Sequence, residues 1–223
     1  MKKILFFSFL LISMTAFPQK DSTLIKFYYL NNKDLSIICE LNNIQYIGIS
    51  CSDLSMRGKK FLLSFDEYEN GKKIKEDTTG LTCKSIKIPF IIGKDTIDYT
   101  FNDCKEAIFS EKDSVYKITF AGKLDKDTFK LVIAYSNGAE SYKRFLGNAN
   151  YSLRTVICTP NNEVKIKLNT LTPILAYTLP FDIENTGSSY SIGSYCILGM
   201  ENVDTWHTKF KVKHYYIINL KIE

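Results

Sequence analysis

The chain has 223 residues, enough for one large domain or two small ones, and its 45% apolar and 13% aromatic content excludes collagen-like, disordered and low-complexity classes. Of the formal charge of +5, two units belong to Lys2 and Lys3, so the chain beyond them carries +3. The remaining lysines are spread without a basic block, and nucleic acid is not implied as a partner.

Met1-Lys2-Lys3 is a short basic head, and residues 4–17 follow as an apolar run broken only by Ser8, Ser13 and Thr15 before Pro18-Gln19-Lys20 ends it. That layout resembles the secretory signal peptides of exported bacterial proteins. Residues 1–19 are therefore expected to be a signal, cut after Ala16, although Met14 is larger than the usual residue two places earlier. The run is shorter than the roughly 20 residues needed to cross a bilayer, and no later stretch is long enough to span as a helix. No cysteine follows the run directly, so lipoprotein anchoring is not indicated. The expected product is residues 20–223, exported and soluble, periplasmic or extracellular, with no transmembrane helix once the signal is removed.

From there the pattern has period two. Residues 24–30 read as an aromatic-rich strand. Leu35, Ile37, Cys39 and Leu41 alternate as a second, and Asn42-Asn43 turns the chain into a third at 44–51. Phe61, Leu63 and Phe65 share a face, and Asn70-Gly71 is the strongest hairpin signal in the chain, because a type I′ turn wants positive φ at both central positions. The return limb, 72–79, is polar enough to be an edge strand, and its lysines discourage edge-to-edge pairing.

Ile86, Ile88, Phe90 and Ile92 form another inward face, with Pro89 pointing to an edge or a bulge. Residues 93–95 turn into 96–101. Tyr116, Ile118 and Phe120 lead to Phe129, Leu131, Ile133 and Tyr135. Residues 136–150 break the rhythm. They are the best place for a subdivision of the domain, near 137–150, and 141–146 reads as a helical turn.

Thr159-Pro160-Asn161-Asn162 turns between strands at 153–158 and 164–168. Pro173 disturbs the next strand, 171–179, and 180–194 is the longest loop. Residues 210–222 alternate most strictly. Phe210, Val212, His214, Tyr216, Ile218, Leu220 and Ile222 fall on one face, expected to lie on the core at the centre of a sheet, with the other face toward water. The whole reads as an all-β, antiparallel β-sandwich of many short hairpin-linked strands with very little helix.

Six cysteines, Cys39, Cys51, Cys83, Cys104, Cys158 and Cys196, allow 15 connectivities for three bridges and hold no Cys-x-x-Cys pair. One pairing follows from hairpin geometry. A four-residue loop at 92–95 sets Cys83 opposite Cys104 near the open end of the hairpin, whereas a three-residue loop at 93–95 misses by one position.

The catalytic inventory is thin. His207 and His214 are the only histidines and, read on one extended strand seven apart, they face opposite ways and hold no metal together. His214 reads as a hydrogen-bonded core histidine and His207 as more exposed. No Gly-x-Ser-x-Gly elbow and no phosphate-cradling glycine loop occurs, so neither catalytic residues nor a metal or cofactor site is assigned. Asp66, Glu67 and Glu69 read as a charged hairpin tip, although a carboxylate pair for glycan hydrolysis needs only spatial proximity. Tyr190, Tyr195 and Trp206 are candidates for a glycan-binding surface, against the plainer reading that they plug the sandwich end. The expected role is non-enzymatic binding or scaffolding in the bacterial envelope, with a glycan or another envelope protein as partner. A small outer-membrane barrel and an exported glycan hydrolase are the alternatives.

Overall fold

A computed structural model gives the fold and describes residues 20–79, 84–92, 95–103, 107–138, 140–156, 159, 161–179 and 202–223. Two antiparallel sheets carry the core. The first runs in spatial order β11 (Glu163–Lys167), β1 (Ser22–Tyr28), β2 (Ile44–Cys51), β7 (Tyr116–Asp125), β8 (Thr128–Tyr135) and β9 (Glu140–Leu146). The second runs β10 (Ser152–Thr155), β12 (Thr172–Thr178), β13 (His214–Ile222), β3 (Phe61–Glu69) and β4 (Lys72–Thr79). A separate two-stranded hairpin joins β5 (Lys84–Ile92) to β6 (Asp95–Asp103). The fold is the antiparallel sandwich that the period-two pattern implies. Each sheet is open, with two edge strands, and the apolar faces point inward rather than outward as they would in a lipid-facing barrel.

Alternation builds the core. Phe61, Leu63 and Phe65 of β3 and Ile218, Leu220 and Ile222 of β13 face Ile118 and Phe120 of β7 and Phe129, Leu131 and Ile133 of β8. Fully burying each such side chain contributes about 1.5–3 kcal/mol. Phe129 is fitted on both sides: it stacks on Tyr177 at 4.0 Å between centroids, and it lies over Gly122, where an added Cβ would come within 2.1 Å of the ring. A glycine under an aromatic ring is a recurrent way for a sheet to accept a large side chain without a gap.

Turn chemistry holds where it was strongest. Asn70 and Gly71 have φ of 51° and 77°, as a type I′ turn demands, and β4 is an edge strand. Asn162 donates its amide to the Thr159 carbonyl at 3.0 Å, closing the expected turn between β10 and β11. The β12 register shifts between Pro173 and Leu175. Pro89, by contrast, causes no bulge, since β5 and β6 pair without a shift across it and a two-stranded ribbon consists only of edges.

Four expectations are corrected. Residues 33–41 form helix α1 (Lys33–Leu41), not a strand: Asn32 caps it by accepting from the amides of Asp34 and Leu35. Residues 141–146 form edge strand β9 rather than a helical turn. The carboxy-terminal strand begins at His214, because Trp206–Phe210 is a second helix, α2, ended by Lys211 at φ 58°. His207 therefore lies on a helix, and both histidines are half-buried. Finally, the outer face of β13 does not meet water. Tyr215 and Ile217 are buried with Tyr68, Val212 and Trp206, and Asn219 is buried with Asp66.

The β5–β6 register pairs Ile92 with Asp95 and Lys84 with Asp103, as a turn over 92–95 dictates. Cys83 and Cys104, one step beyond the last pair, lie outside the described residues, and their disulfide remains a proposal. It would close a loop of about 20 residues, worth roughly 3 kcal/mol by the chain-entropy estimate. Cys39 and Cys51 are not bridged to each other and make no disulfide among the described residues.

Two tests follow from this packing. Non-reducing peptide mapping should recover the Cys83 and Cys104 peptides linked, and free thiols at both would end that proposal. Gly122→Ala should displace Phe129 and lower stability in urea by about 1–3 kcal/mol; an unchanged midpoint would contradict the fit described for that ring.

Candidate functional site

The inward stripe of β3 reads Phe61, Leu63, Phe65 and then Glu67, and that of β13, read toward the same end of the sandwich, ends Ile218, Tyr216, His214. At this end the apolar faces give way to polar groups. Register places Glu67 directly opposite Tyr216 and sets His214 against Glu69, one step diagonal to Glu67. Glu67 Oε1 accepts from the Tyr216 hydroxyl at 3.0 Å and pairs with His214 Nε2 at 3.0 Å. Tyr151, just before β10, donates its hydroxyl to the His214 carbonyl at 3.1 Å and lies 3.4 Å from Nδ1. Burial pushes the phenols of Tyr216 and Tyr151 above their ordinary range, so both stay protonated and able to donate.

The same chain of contacts reaches the other sheet. The Leu146 amide, at the end of β9, donates to the Tyr216 hydroxyl at 3.0 Å. Beside it Lys143 of β9 pairs with Asp77 of β4 at 2.8 Å, and its ammonium lies 5.1 Å from the centroid of Phe65. Two edge strands, one from each sheet, are thus clasped at one side of the sandwich. Between them lies a cleft of about 440 Å³. Phe65, Phe145 and Tyr216 floor it, Glu67 stands within it, Lys75 and Asp77 form the β4 wall, and Tyr142 and Arg144 lie on the β9 side with Lys143. The size is that of a small-molecule site, and the lining, five charged residues around aromatic rings, is more polar than is usual for one.

These groups are placed to contact a ligand in the cleft. Asp66 and Glu67 point to opposite faces of β3, so they cannot flank one bond: Asp66 is buried on the outer face, held by Asn219 at 3.0 Å and Ser64 at 3.1 Å. Asp77 also lines the cleft but is paired with Lys143. Glu67 Oε2 has no hydrogen bond among the described residues and is free to accept one from a ligand. Among the described residues no group of three His, Cys, Asp or Glu side chains comes together to hold a metal. Cys51 is 1% exposed and burial pushes its thiol up, the opposite of an activated nucleophile.

Of the residues singled out from sequence, Tyr190, Tyr195, Cys83 and Cys104 lie outside the described residues. Trp206 is fully buried, 5.2 Å from the ring of Tyr215, and presents no face to solvent. It packs on the outer face of the second sheet, whereas the cleft opens from the inner face. Glu67 is not part of a solvated hairpin tip, because it faces inward. Tyr151, Tyr216, Lys143 and Arg144 were not singled out as site residues. The available signal was a glutamate and a histidine on two otherwise apolar strand faces. No described helix is long and apolar enough to cross a membrane. Neither a known protein family, nor a curated protein, nor a solved structure matches this chain.

A paired substitution tests the network. Tyr216→Phe leaves the Leu146 amide unpaired and removes a donor from Glu67, and should cost about 1–3 kcal/mol. Tyr116→Phe removes a buried hydroxyl that has no partner among the described residues and should be neutral or stabilising. Equal effects in thermal or urea unfolding would contradict the assignment.

Proposed function

We propose that this chain is an exported bacterial envelope protein that binds a small polar ligand, a glycan, in the cleft between β4 and β9 without transforming it. Export rests on residues 1–19, whose basic head, apolar run and abrupt end follow the order of a signal peptide. Binding rests on one observation: the core stripes of β3 and β13 end in Glu67, Tyr216 and His214, joined by hydrogen bonds, where the sandwich opens on a cleft. Polar groups on a core face are costly to bury unless each finds a partner, and Glu67 keeps one oxygen for a ligand. A sugar hydroxyl is a fitting donor to that oxygen. The non-enzymatic reading is supported by the commitment of both cleft carboxylates, Asp77 to Lys143 and Glu67 Oε1 to two donors.

Glycan-array screening of the purified protein, followed by calorimetry on the best hit, tests the reading. Glu67→Gln should weaken binding by about tenfold to a hundredfold, the range for a hydrogen bond to a charged group. The hit should be recovered unchanged after prolonged incubation. Binding indifferent to Glu67 would remove the cleft from the account, and cleaved product would make the protein a hydrolase. Fractionation of expressing cells tests export: release by osmotic shock supports it, and retention with the full uncut chain in the cytoplasm contradicts it.

A further inference from the structure

Lysines that are spread along the sequence are gathered by sheet register on one outer face. Where β7, β8 and β9 lie side by side, Lys123 stands directly opposite Lys130, and Lys130 directly opposite Arg144. All three are exposed and alternate with inward-facing neighbours, so they form one row across three strands, roughly 10 Å long at the usual strand spacing. Like charges directly opposite each other cost stability. Lys130 pairs with Asp125 at 2.5 Å, whereas Lys123 and Arg144 have no ion pair among the described residues. Edge protection does not account for the row, because Lys123 and Lys130 lie on interior strands. The rest of the outer face of the first sheet has the same sign. Its β7–β9 half carries Lys117, Lys123, Lys130 and Arg144 against Asp125 and Glu140; its β11–β1 half carries Lys26, Lys165 and Lys167 against Glu163. The surplus of four exceeds the +3 carried by the entire chain beyond Lys3.

We propose that this face docks on a membrane surface rich in anionic lipid, with the Lys123–Lys130–Arg144 row on the headgroups; binding in the cleft plays no part in it. Two features suit a bilayer better than a soluble polyanion. The face is flat: beside the row, the outward positions of β7 and β8 are Thr119, Ala121, Val132 and Ala134, short side chains that build no groove. It also carries exposed apolar groups toward both margins, Leu24 of β1 and Leu146 of the β9 edge, with the exposed ring of Tyr142 two residues from Arg144. A leucine gains nothing from a polyanion in water, but it gains at the boundary of headgroups and acyl chains, where tyrosine rings also settle. β9 is the wall between this face and the cleft, so Tyr142, Arg144 and Leu146 border both. Each Lys or Arg held near an anionic bilayer raises affinity about fivefold, and the attraction is screened by salt.

Co-sedimentation with vesicles decides the matter, equimolar phosphatidylglycerol and phosphatidylethanolamine set against phosphatidylcholine alone. Binding to the anionic vesicles should be at least about tenfold tighter, and the preference should shrink in 0.5 M salt. The triple variant Lys123→Ala, Lys130→Ala and Arg144→Ala should weaken it about a hundredfold, at about fivefold per cation. Leu24→Ser with Leu146→Ser should weaken it about fivefold and leave the charge untouched. Residues 1–19 are the same in every variant, so lipid binding through their apolar run cancels in these comparisons. All the substituted side chains are exposed, and circular dichroism checks that the sandwich is retained. Equal binding to both kinds of vesicle, or a triple variant that binds like the wild type, would overturn the docking. So would loss in Ile38→Glu with Leu41→Glu, exposed on α1, while the triple variant still binds, since the lipid contact would then lie on that helix. Polygalacturonate bound as tightly as the anionic vesicles at equal charge, or no effect of the two leucines, would make the face a soluble-polyanion site and overturn it as well.

Discussion

The Tyr216 hydroxyl makes two hydrogen bonds, and the arrangement of the open end of the sandwich depends on them. It donates to Glu67 within its own sheet and accepts the Leu146 amide from the edge strand of the other sheet. An edge strand normally carries unpaired amides that invite another chain to add on. Here one of them is capped by a side chain of the facing sheet, and the Lys143–Asp77 pair closes the same edge a few residues away. Pulling β9 against β4 in this way turns a sheet edge into the wall of a cleft.

The rest of the sandwich makes that arrangement affordable. Deep in the core every inward position from Phe61 to Phe65 and from Ile218 to Ile222 is apolar and buried, so the sheets are fixed before the polar end is reached. Both faces of β13 are covered, the inner by the first sheet and the outer by the segment carrying Val203, Trp206 and Val212. Tyr215 donates its hydroxyl to the Val203 carbonyl at 2.6 Å on the outer side, and Tyr216 bonds Glu67 on the inner side. Two adjacent tyrosines on the central strand thus hold its two coverings, each by a ring in an apolar cluster and a hydroxyl at its margin.

Much of the fold was legible because a half-buried strand leaves a period-two trace. Phe61-Leu63-Phe65, Ile118-Phe120 and Leu131-Ile133 announce their faces, and Asn70-Gly71 announces its turn. The misreadings have physical causes. Residues 35–41 satisfy alternation and also place apolar residues three and four apart, so periodicity does not decide; the Asn32 cap does. None of the α1 side chains is buried, so no core-facing stripe was there to read. β9 looked like a break because only Phe145 of its seven residues is buried, as befits an edge. The strand expected from residue 210 starts at 214 because Lys211 takes a left-handed conformation that nothing in its side chain signals. The site was the least legible part. Glu67, Tyr151, Leu146 and His214 come from four segments that only the sheet registers bring together, and no local spacing encodes that meeting.

Amide hydrogen exchange at Leu146 tests the central contact most directly, since it needs neither a ligand nor a substitution. Leu146 stands at the end of an edge strand, and its amide is bonded to a tyrosine hydroxyl rather than to a neighbouring strand. With the network in place, that amide should be protected to nearly the level of the ladder amides of β8, while an unpaired amide on the same edge exchanges freely. Exchange at Leu146 as fast as at an open edge position would mean that the two sheets are not joined there, and the cleft would lose the contact that forms it.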